Sequence, residues 1–441
     1  MNQKLVILFD GSFLPYIFNK DTSRSGVFFT VYNILLELLK REDIELVVYN
    51  GGIDDGQMKK IIEIIPALRE EHLFYKLENS KIKPYFLNLR LKLKKIKKEC
   101  NNNWLLIPKL YIILISIIPK IIVKFFKVKF FKKKLNKREN KINVCLSPTG
   151  DLPMFEAIKN YKNIQKYTIL YDIIPLILPE YKKLYKEGTW FYNAIKLLNK
   201  KDYYFAISDY TKRDFIKHIS NIEEGNITTT LLAASDDFYP NKDGNKIREI
   251  KNKYNIPWES KYFFSLCGLE PRKNLLFIIR NFIKFTQNNK LNDVYLILGG
   301  NSKLFSVFPK FKEEFDALEN KNKIIFTGYI EDEDLSALYS GARGFVFMST
   351  YEGFGLPLLE AMQCGTPCIA SNVTSMPEVV EDNAISISPL DDDAMIKSFE
   401  DLYSNDELHK ELSQKSLLQS KKFSWKKTVD IMTKEMKKNI K

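Results

Sequence analysis

Two glutamates eight positions apart flank a glycine-containing loop in the run Tyr351-Glu352-Gly353-Phe354-Gly355-Leu356-Pro357-Leu358-Leu359-Glu360. Pro357 suits the first turn of a helix, where its missing N–H is not needed. That sets Glu360 about one turn inside the helix and Glu352 on the loop before it. Both acids then lie near one helix N-terminus, whose free N–H groups and dipole attract an anion such as a diphosphate. An ionised carboxylate accepts two hydrogen bonds from a vicinal diol. Carboxylates beside an anion site therefore point to a sugar nucleotide. In isolation such a pair of glutamates is also a chance occurrence; the segments that accompany it decide.

Three further segments have the right chemistry. Gly268-Leu269-Glu270-Pro271-Arg272-Lys273-Asn274 follows a strand ending at Leu266, and a turn at the C-terminal end of a parallel strand is where open α/β sheets bind ligands. Arg272 and Lys273 can neutralise a diphosphate, the first by bidentate bonds and the second as a point charge; alone, such a pair is ordinary surface charge. Leu296-Ile297-Leu298-Gly299-Gly300 is a strand running into two glycines, which permit close backbone approach to a ligand or simply a tight turn. In Phe326-Thr327-Gly328-Tyr329-Ile330 the backbone after Gly328 can border a nucleotide base. The acids from Glu331 to Asp334 that follow are expected to be an exposed cap and first helical turn. The glutamate loop itself continues into Cys364-Gly365-Thr366-Pro367-Cys368-Ile369-Ala370-Ser371 and Pro377-Glu378.

The elements that must carry these loops alternate along the chain. Strand candidates include residues 5–9, 45–49, 166–171, 203–207, 261–266, 294–298, 323–327, 344–348 and 384–388, separated by helix-period stretches. Several are apolar throughout, as strands covered on both faces are. The pattern predicts α/β architecture with doubly wound parallel sheets, and 441 residues are too many for one ordinary core. The first domain is expected over residues 1–240, ending near Phe238-Tyr239-Pro240. Asn241 to Lys253 reads as linker and entry helix, and a second αβ series then runs over 241–424. No repeat recurs at a fixed period.

The net charge of +14 is unevenly distributed. Residues 81–140 hold 18 lysines and arginines against Glu99 and Glu139, a local charge of +16, and everything else sums to −2. Within this insert Pro108, Pro119 and the lysines cut the apolar stretch from Trp104 to Phe131 into pieces too short to span a bilayer. Aromatics and aliphatics edged by Lys124, Lys127 and Lys129 suit the headgroup region of an anionic membrane surface. The alternative is a helical subdomain whose apolar face packs on the core. Nucleic acid is a weaker rival, since the aromatics cluster with aliphatics instead of being spaced as base-stacking platforms.

The opening Met1-Asn2-Gln3-Lys4-Leu5-Val6-Ile7-Leu8-Phe9 reads as a first buried strand and not as a signal peptide. Cys100, Cys145, Cys267, Cys364 and Cys368 lack metal-like spacing and read as free thiols of a reducing cytoplasm. None of His72, His218 and His409 has a ligand-like neighbour, and Asp391-Asp392-Asp393 reads as a solvated helix start, so no metal site is expected.

With these residues in place, the second half resembles the donor-binding domain of the family 4 glycosyltransferases, retaining enzymes of the GT-B fold. Glu352 and Glu360 match that family's E-x7-E pair, Glu270-Pro271-Arg272-Lys273-Asn274 its phosphate-binding segment, and Pro377-Glu378 its proline-glutamate. The likeness covers about residues 262–390 and is greatest to bacterial enzymes that build O-antigen or capsule chains, mannosyltransferases included. The first half is similar more loosely. Ser25-Gly26 resembles the family's glycine loop after the first strand, and Tyr171-Asp172 stands where relatives often carry His-Asp. Ile207-Ser208-Asp209-Tyr210-Thr211-Lys212 resembles their serine segment, and Asp237-Phe238-Tyr239-Pro240 their interdomain junction. Tyr171 replaces the usual histidine, and Thr374-Ser375-Met376 replaces the commoner glycine pair.

The resemblance implies two Rossmann-like domains facing a central cleft, with the last helix, within 425–441, packing back across the junction. It implies Glu360 on the ribose hydroxyls, Glu352 and the amides of Phe354 and Gly355 toward the donor sugar, and Arg272 and Lys273 on the leaving diphosphate. Gly26, Asp172, Gly268, Gly299, Gly328, Gly353 and Leu356 complete the expected substrate-binding set, with Asp172 on the acceptor side. Cations aimed at developing charge act as an electrostatic clamp, so neither a metal nor another cofactor is expected beside the nucleotide-diphosphate sugar. The implied reaction moves a hexosyl unit to a lipid-linked or cell-surface glycan. It would take place on the inner face of the cytoplasmic membrane, with residues 81–140 on the anionic surface and no nucleic acid involved. A non-catalytic nucleotide-sugar-binding module is the alternative. A sugar-nucleotide epimerase is disfavoured by the scarce histidines and the E-x7-E pattern.

Overall fold

The computed structural model describes residues 4–18, 26–50, 53–74, 142–148, 158, 161, 163–266, 268–300 and 309–440. The basic insert at 81–140 lies outside these described residues. Among the described residues twelve strands form two six-stranded sheets, every pairing within them parallel. The first holds β1 (Leu5–Asp10), β2 (Ile44–Tyr49), β3 (Val144–Ser147), β4 (Gln165–Leu170), β5 (Tyr203–Ala206) and β6 (Ile227–Thr229), in the order β2-β1-β3-β4-β5-β6. The second holds β7 (Lys261–Leu266), β8 (Val294–Gly299), β9 (Ile324–Gly328), β10 (Gly344–Phe347), β11 (Cys368–Ser371) and β12 (Ile385–Ile387), in the order β12-β11-β10-β7-β8-β9.

All six residues of β1 are buried, as are all four of β10, because helices cover both faces of a parallel sheet. Three strands escape periodicity. β3, β6 and β11 are three or four residues long, as are β5, β10 and β12; runs this short show little period of their own, so only some of them are read from sequence.

In each sheet the strand order reverses once, between β1 and β3 in the first and between β7 and β10 in the second. A crevice opens at the carboxyl ends of the strands at such a point. The loops leaving β7 and β10 carry Arg272 and Glu352 respectively. Topology therefore brings together two segments 80 residues apart in the chain.

The last helix, Trp425–Asn439, packs on the Gly26–Leu39 helix of the first unit. The Trp425 ring meets Phe29 edge-on at 5.8 Å, and Val429, Met432 and Met436 are buried in a core shared with β1, β2 and β4. Arg41 joins Asp43 to Asp430, Lys437 also bonds Asp43, and Thr428 Oγ1 donates to the Leu231 carbonyl. The helix is thus a strap from the second sheet back to the first. Among the described residues no helix is long and apolar enough to cross a membrane. Met432→Ala removes a side chain that is 1% exposed, and deletions of this kind cost about 2–5 kcal/mol. Denaturant unfolding of the purified chain is expected to show an unfolding free energy lower by that amount, seen as a lower midpoint at unchanged m.

Candidate active site

After β7 the chain turns through Glu270, makes a short 3-10 turn at Pro271–Lys273, and enters the Leu275–Asn288 helix through Asn274 at φ 57°. Asparagine tolerates that left-handed conformation, and Asn274 Nδ2 also donates to the Pro389 carbonyl at 2.8 Å. The turn is thus fixed at both ends, which aims Arg272 and Lys273 at the loop after β10. Thr350 N donates to the Arg272 carbonyl at 2.7 Å, locking the two loops backbone to backbone.

The cations converge on one carboxylate. Lys273 Nζ lies 2.7 Å and Arg272 Nη1 2.8 Å from Glu352 Oε1, while Arg272 Nη2 reaches Glu270 Oε2 at 2.8 Å. Arg272 Nη1 further donates to the Tyr351 carbonyl at 3.1 Å. Burial alone would raise the Glu352 carboxyl, but Lys273 and Arg272 hold it below its ordinary value. Burial likewise disfavours the charged guanidinium, and Glu352 and Glu270 more than offset that, so Arg272 stays protonated. Sequence reasoning set Arg272 and Lys273 toward a diphosphate alone; the fold makes them also the counterions that let Glu352 remain ionised in a buried site.

Glu352 is positioned by its backbone as well. Its N–H donates to Thr374 Oγ1 at 3.2 Å, and Ser375 Oγ donates to the Glu352 and Phe354 carbonyls at 3.0 and 2.9 Å. Thr374 sits at φ 57°, a region unfavourable for a β-branched residue. That conformation accounts for glycine being the commoner residue here, and the Thr374-Ser375 departure supplies two hydroxyls to the loop in exchange for strain. Neither was singled out as a site residue from sequence; the departure itself was the available signal.

Gly353 is the point where the two sheets meet. A Cβ there would lie 2.9 Å from the Tyr171 carbonyl and 3.1 Å from Asp172 Cβ, so only glycine lets the loop reach the end of β4. The Gly353 carbonyl accepts from Ser208 Oγ at 2.7 Å and Thr211 Oγ1 at 3.1 Å. Glu378 accepts from the backbone N–H groups of Asp209 and Tyr210 at 2.7 and 2.6 Å, at the N-terminus of the Asp209–His218 helix, where the dipole favours a carboxylate. Tyr351 hydrogen-bonds Asp214 across the same junction. Ser208, Thr211, Asp214 and Glu378 owe these contacts to sheet-to-sheet docking, which no local pattern encodes.

Asp172 enters this cluster from the first sheet. Its carboxyl accepts from Ile174 N at 3.1 Å and is raised above its ordinary value by burial, with Arg272, Glu352 and Lys273 all within electrostatic reach. It also lines a mainly apolar cavity of about 410 Å³ against the Trp190–Leu197 helix.

Glu360 is held separately. It is the fifth residue of the Leu356–Gln363 helix, and Tyr339 Oη donates to its Oε2 at 2.9 Å. Burial pushes its carboxyl up to about 7, with the Tyr339 bond opposing and Asp332 adding to the rise. Neither Arg272 nor Lys273 contributes to that balance. Tyr339 is a second partner that sequence reasoning did not identify; it lies on the Asp332–Gly341 helix, which packs beside the glutamate helix.

The remaining expected residues divide. Gly355 has φ 108° and starts the glutamate helix; Gly328 has φ 70° with open space where a Cβ would project. Leu356 approaches Gly26 at 3.7 Å from the ideal Cβ, bringing the first helix of the chain beside the glutamate loop. Gly268 is half-buried between β7 and the cation turn. The Phe354 side chain is buried against Phe423. Gly299 differs from expectation: a Cβ there would strike Ile330 Cδ1 at 2.5 Å and Leu266 Cδ1 at 2.9 Å, so core packing, not ligand approach, requires glycine. Glu331 to Glu333 form the expected cap and first turn, with Asp332 and Glu333 exposed, but Asp334 differs. Asp334 is buried, bonded by Lys253 at 2.6 Å and Tyr254 at 2.7 Å, because the Gly244–Lys253 helix packs over that turn. Asp391 caps the Asp392–Ser404 helix through Ala394 N. Cys145, Cys364 and Cys368 are free and buried.

Residues 246–419 match the family described as glycosyl transferases group 1. The chain is 31% identical over 258 residues to the O-antigen chain mannosyltransferase B of Escherichia coli, covering 58% of this chain and 66% of that protein. It is 31% identical over 271 residues to the serotype-specific mannosyltransferase WbdA of Escherichia coli, covering 60% of this chain and 32% of that one. The match therefore spans less than two thirds of either relative's length. In three dimensions the chain resembles a glycosyltransferase of Rickettsia africae ESF-5, with a TM-score of 0.62, 16% identity and 99% of both chains covered. It also resembles Anabaena Alr3699/HepE, solved with UDP and glucose, with a TM-score of 0.63, 14% identity and coverage of 98% and 100%. Two parallel sheets meeting at a buried Glu352–Arg272–Lys273 cluster give this chain the GT-B fold, and residues 246–419, which carry the whole second sheet, are similar to the group 1 glycosyl transferases.

Proposed function

We propose that the chain is a glycosyltransferase that moves a hexosyl unit from a nucleotide-diphosphate sugar to a glycan acceptor with retention of configuration. The observation that carries this reading is the double ion pair of Glu352 with Arg272 and Lys273 at the β7–β10 switch. It preorganises two cations and one carboxylate where a sugar–phosphate bond would lie, so little reorganisation is needed as charge develops. Arg272 and Lys273 stabilise the departing diphosphate, Glu352 faces the donor sugar, and Glu360 accepts from the ribose hydroxyls. The acceptor hydroxyl attacks on the face the nucleotide leaves, and the leaving phosphate takes its proton. Asp172 lies on the acceptor side. The cationic pair supplies the electrostatic clamp without calling on a metal.

The mannosyltransferase names of the relatives favour mannose as the hexose and a lipid-linked or cell-surface glycan as acceptor. On this reading the protein works at the inner face of the cytoplasmic membrane, held there through residues 81–140. Release of nucleoside diphosphate from a panel of UDP- and GDP-sugars, with lipid-linked acceptor present, tests the whole proposal; no release from any donor sinks it. Replacing Lys124, Lys127, Lys129 and Lys132 is expected to free the protein from anionic vesicles at moderate salt. Unchanged sedimentation with vesicles would instead favour packing of the insert on the core.

Arg272→Ala and Glu352→Gln are each expected to lower kcat by about 100- to 1000-fold, the usual loss on removing one group that stabilises transition-state charge. Circular dichroism alongside the assay checks that the fold persists, since a buried ion pair broken on one side costs about 3–5 kcal/mol.

Glu360 generates a pH dependence. Its carboxyl is raised from 4.5 to about 7 in the folded chain, so the folded state holds the extra proton between those values and loses stability as pH rises through them. A ribose diol needs the ionised form. Nucleotide binding should therefore release a proton below pH 7, and affinity should rise up to about that pH before levelling. Titration calorimetry in buffers of different ionisation enthalpy measures this release, which Glu360→Gln should abolish.

A further inference from the structure

Among the described residues, two buried polar groups at the cation cluster make no well-formed hydrogen bond. Arg272 uses both terminal nitrogens, on Glu352 and Glu270, and its Nε–H is left over. Beside it lies the buried hydroxyl of Tyr181, near enough for Arg272 to act on its oxygen as a hydrogen-bond donor but with no acceptor for its own proton. Tyr181 arrives from the other side of the cleft, on the short Pro179–Leu184 turn that follows β4. An unsatisfied buried donor costs about 1–3 kcal/mol, and two facing one region from opposite sheets need an explanation. The neighbouring carboxylates do not supply it: Glu270 and Glu352 bond the terminal nitrogens of Arg272, and neither meets its Nε–H or the Tyr181 hydroxyl in hydrogen-bonding geometry. A phosphate oxygen does: it accepts several hydrogen bonds at once, and charge-assisted ones most strongly.

We propose that Tyr181 is a further donor-contacting residue, its hydroxyl donating to the same diphosphate oxygen that Arg272 Nε–H approaches, so that both sheets grip the leaving group. This rests on the glycosyltransferase reading above. Burial, with Glu270 adding to the effect and Arg272 opposing it, pushes the phenol up to about 12, so it stays a proton-bearing donor throughout the working range. No proton is transferred; the hydroxyl adds one neutral hydrogen bond to charge that grows as the sugar–oxygen bond breaks. The arrangement also gives a structural reason for the two sheets to dock before reaction, because the phenol and the guanidinium belong to different sheets.

Tyr181→Phe keeps the ring and removes only the hydroxyl. With the full chain and no ligand, melting temperature should stay the same or rise, since an unsatisfied group is lost. With UDP or GDP, whichever stabilises the wild type, affinity should fall about 10-fold, and kcat with the corresponding sugar donor should fall by at least as much. Combining Tyr181→Phe with Arg272→Ala should cost less than the two losses multiplied, as expected of residues sharing one partner. Wild-type affinity and kcat in Tyr181→Phe would overturn the proposal and leave the glycosyltransferase reading standing. So would a lowered melting temperature with activity lost only through unfolding. Absence of nucleoside diphosphate binding and of donor turnover in the wild type would instead remove the underlying reading, and this inference with it.

Discussion

One carboxylate organises this molecule. Glu352 is buried, and a buried carboxylate stays ionised only if opposite charge compensates for lost hydration. Lys273 and Arg272 provide that charge from a different loop, at 2.7 and 2.8 Å. The compensation is geometric before it is chemical. Those cations reach Glu352 only because β7 and β10 are hydrogen-bonded neighbours and because both loops leave the same edge of a parallel sheet. Glu270 holds the other edge of the guanidinium, so Arg272 is clamped in its plane between two acids.

That constraint spreads outward through the loop carrying Glu352. Its backbone is pinned by Thr374 and Ser375 on one side and by Gly353 on the other. Gly353 makes the contact with the first sheet, where a methyl group would strike the Tyr171 carbonyl. Glu378 at the start of the Asp209–His218 helix and the Tyr351–Asp214 bond reinforce the junction. The C-terminal helix closes the opposite side by burying Trp425, Val429, Met432 and Met436 in a core shared with the first sheet. Docking of the sheets and assembly of the cluster are therefore one event, since the same loop serves both.

The two glutamates of the opening motif occupy different electrostatic settings although one helix start carries both. Glu352 is held low by cations; Glu360, half-buried with the Tyr339 hydroxyl as its hydrogen-bond partner among the described residues, is raised to about 7. Two acids of one type pushed apart by environment suit different uses: Glu352 is a permanent charge beside two cations, and Glu360 is a group near neutrality that would gain from hydroxyl donors. Their division follows from which helices surround them, Asp332–Gly341 for Glu360 and the cation turn for Glu352.

Sequence alone determined the architecture and where the acids and cations of the candidate site stand relative to the strand ends. Apolar runs alternating with helical periods could only be covered parallel sheets, and Glu352, Glu360, Arg272 and Lys273 were legible because their spacing to strand ends and to Pro357 is local information. The short strands β3, β6 and β11 were not read, because runs of three or four residues show little period and only some of them, such as β5, β10 and β12, stand out. Tertiary structure decided who pairs with whom. It buried Asp334 under a neighbouring helix, made Gly299 a packing residue and recruited Thr374 and Ser375 as backbone anchors. It also set Tyr181 beside Arg272 across the cleft. Each of these depends on elements distant in the chain being brought together by the order of strands, and a hydrogen bond or a clash exists only once that order brings the atoms within reach.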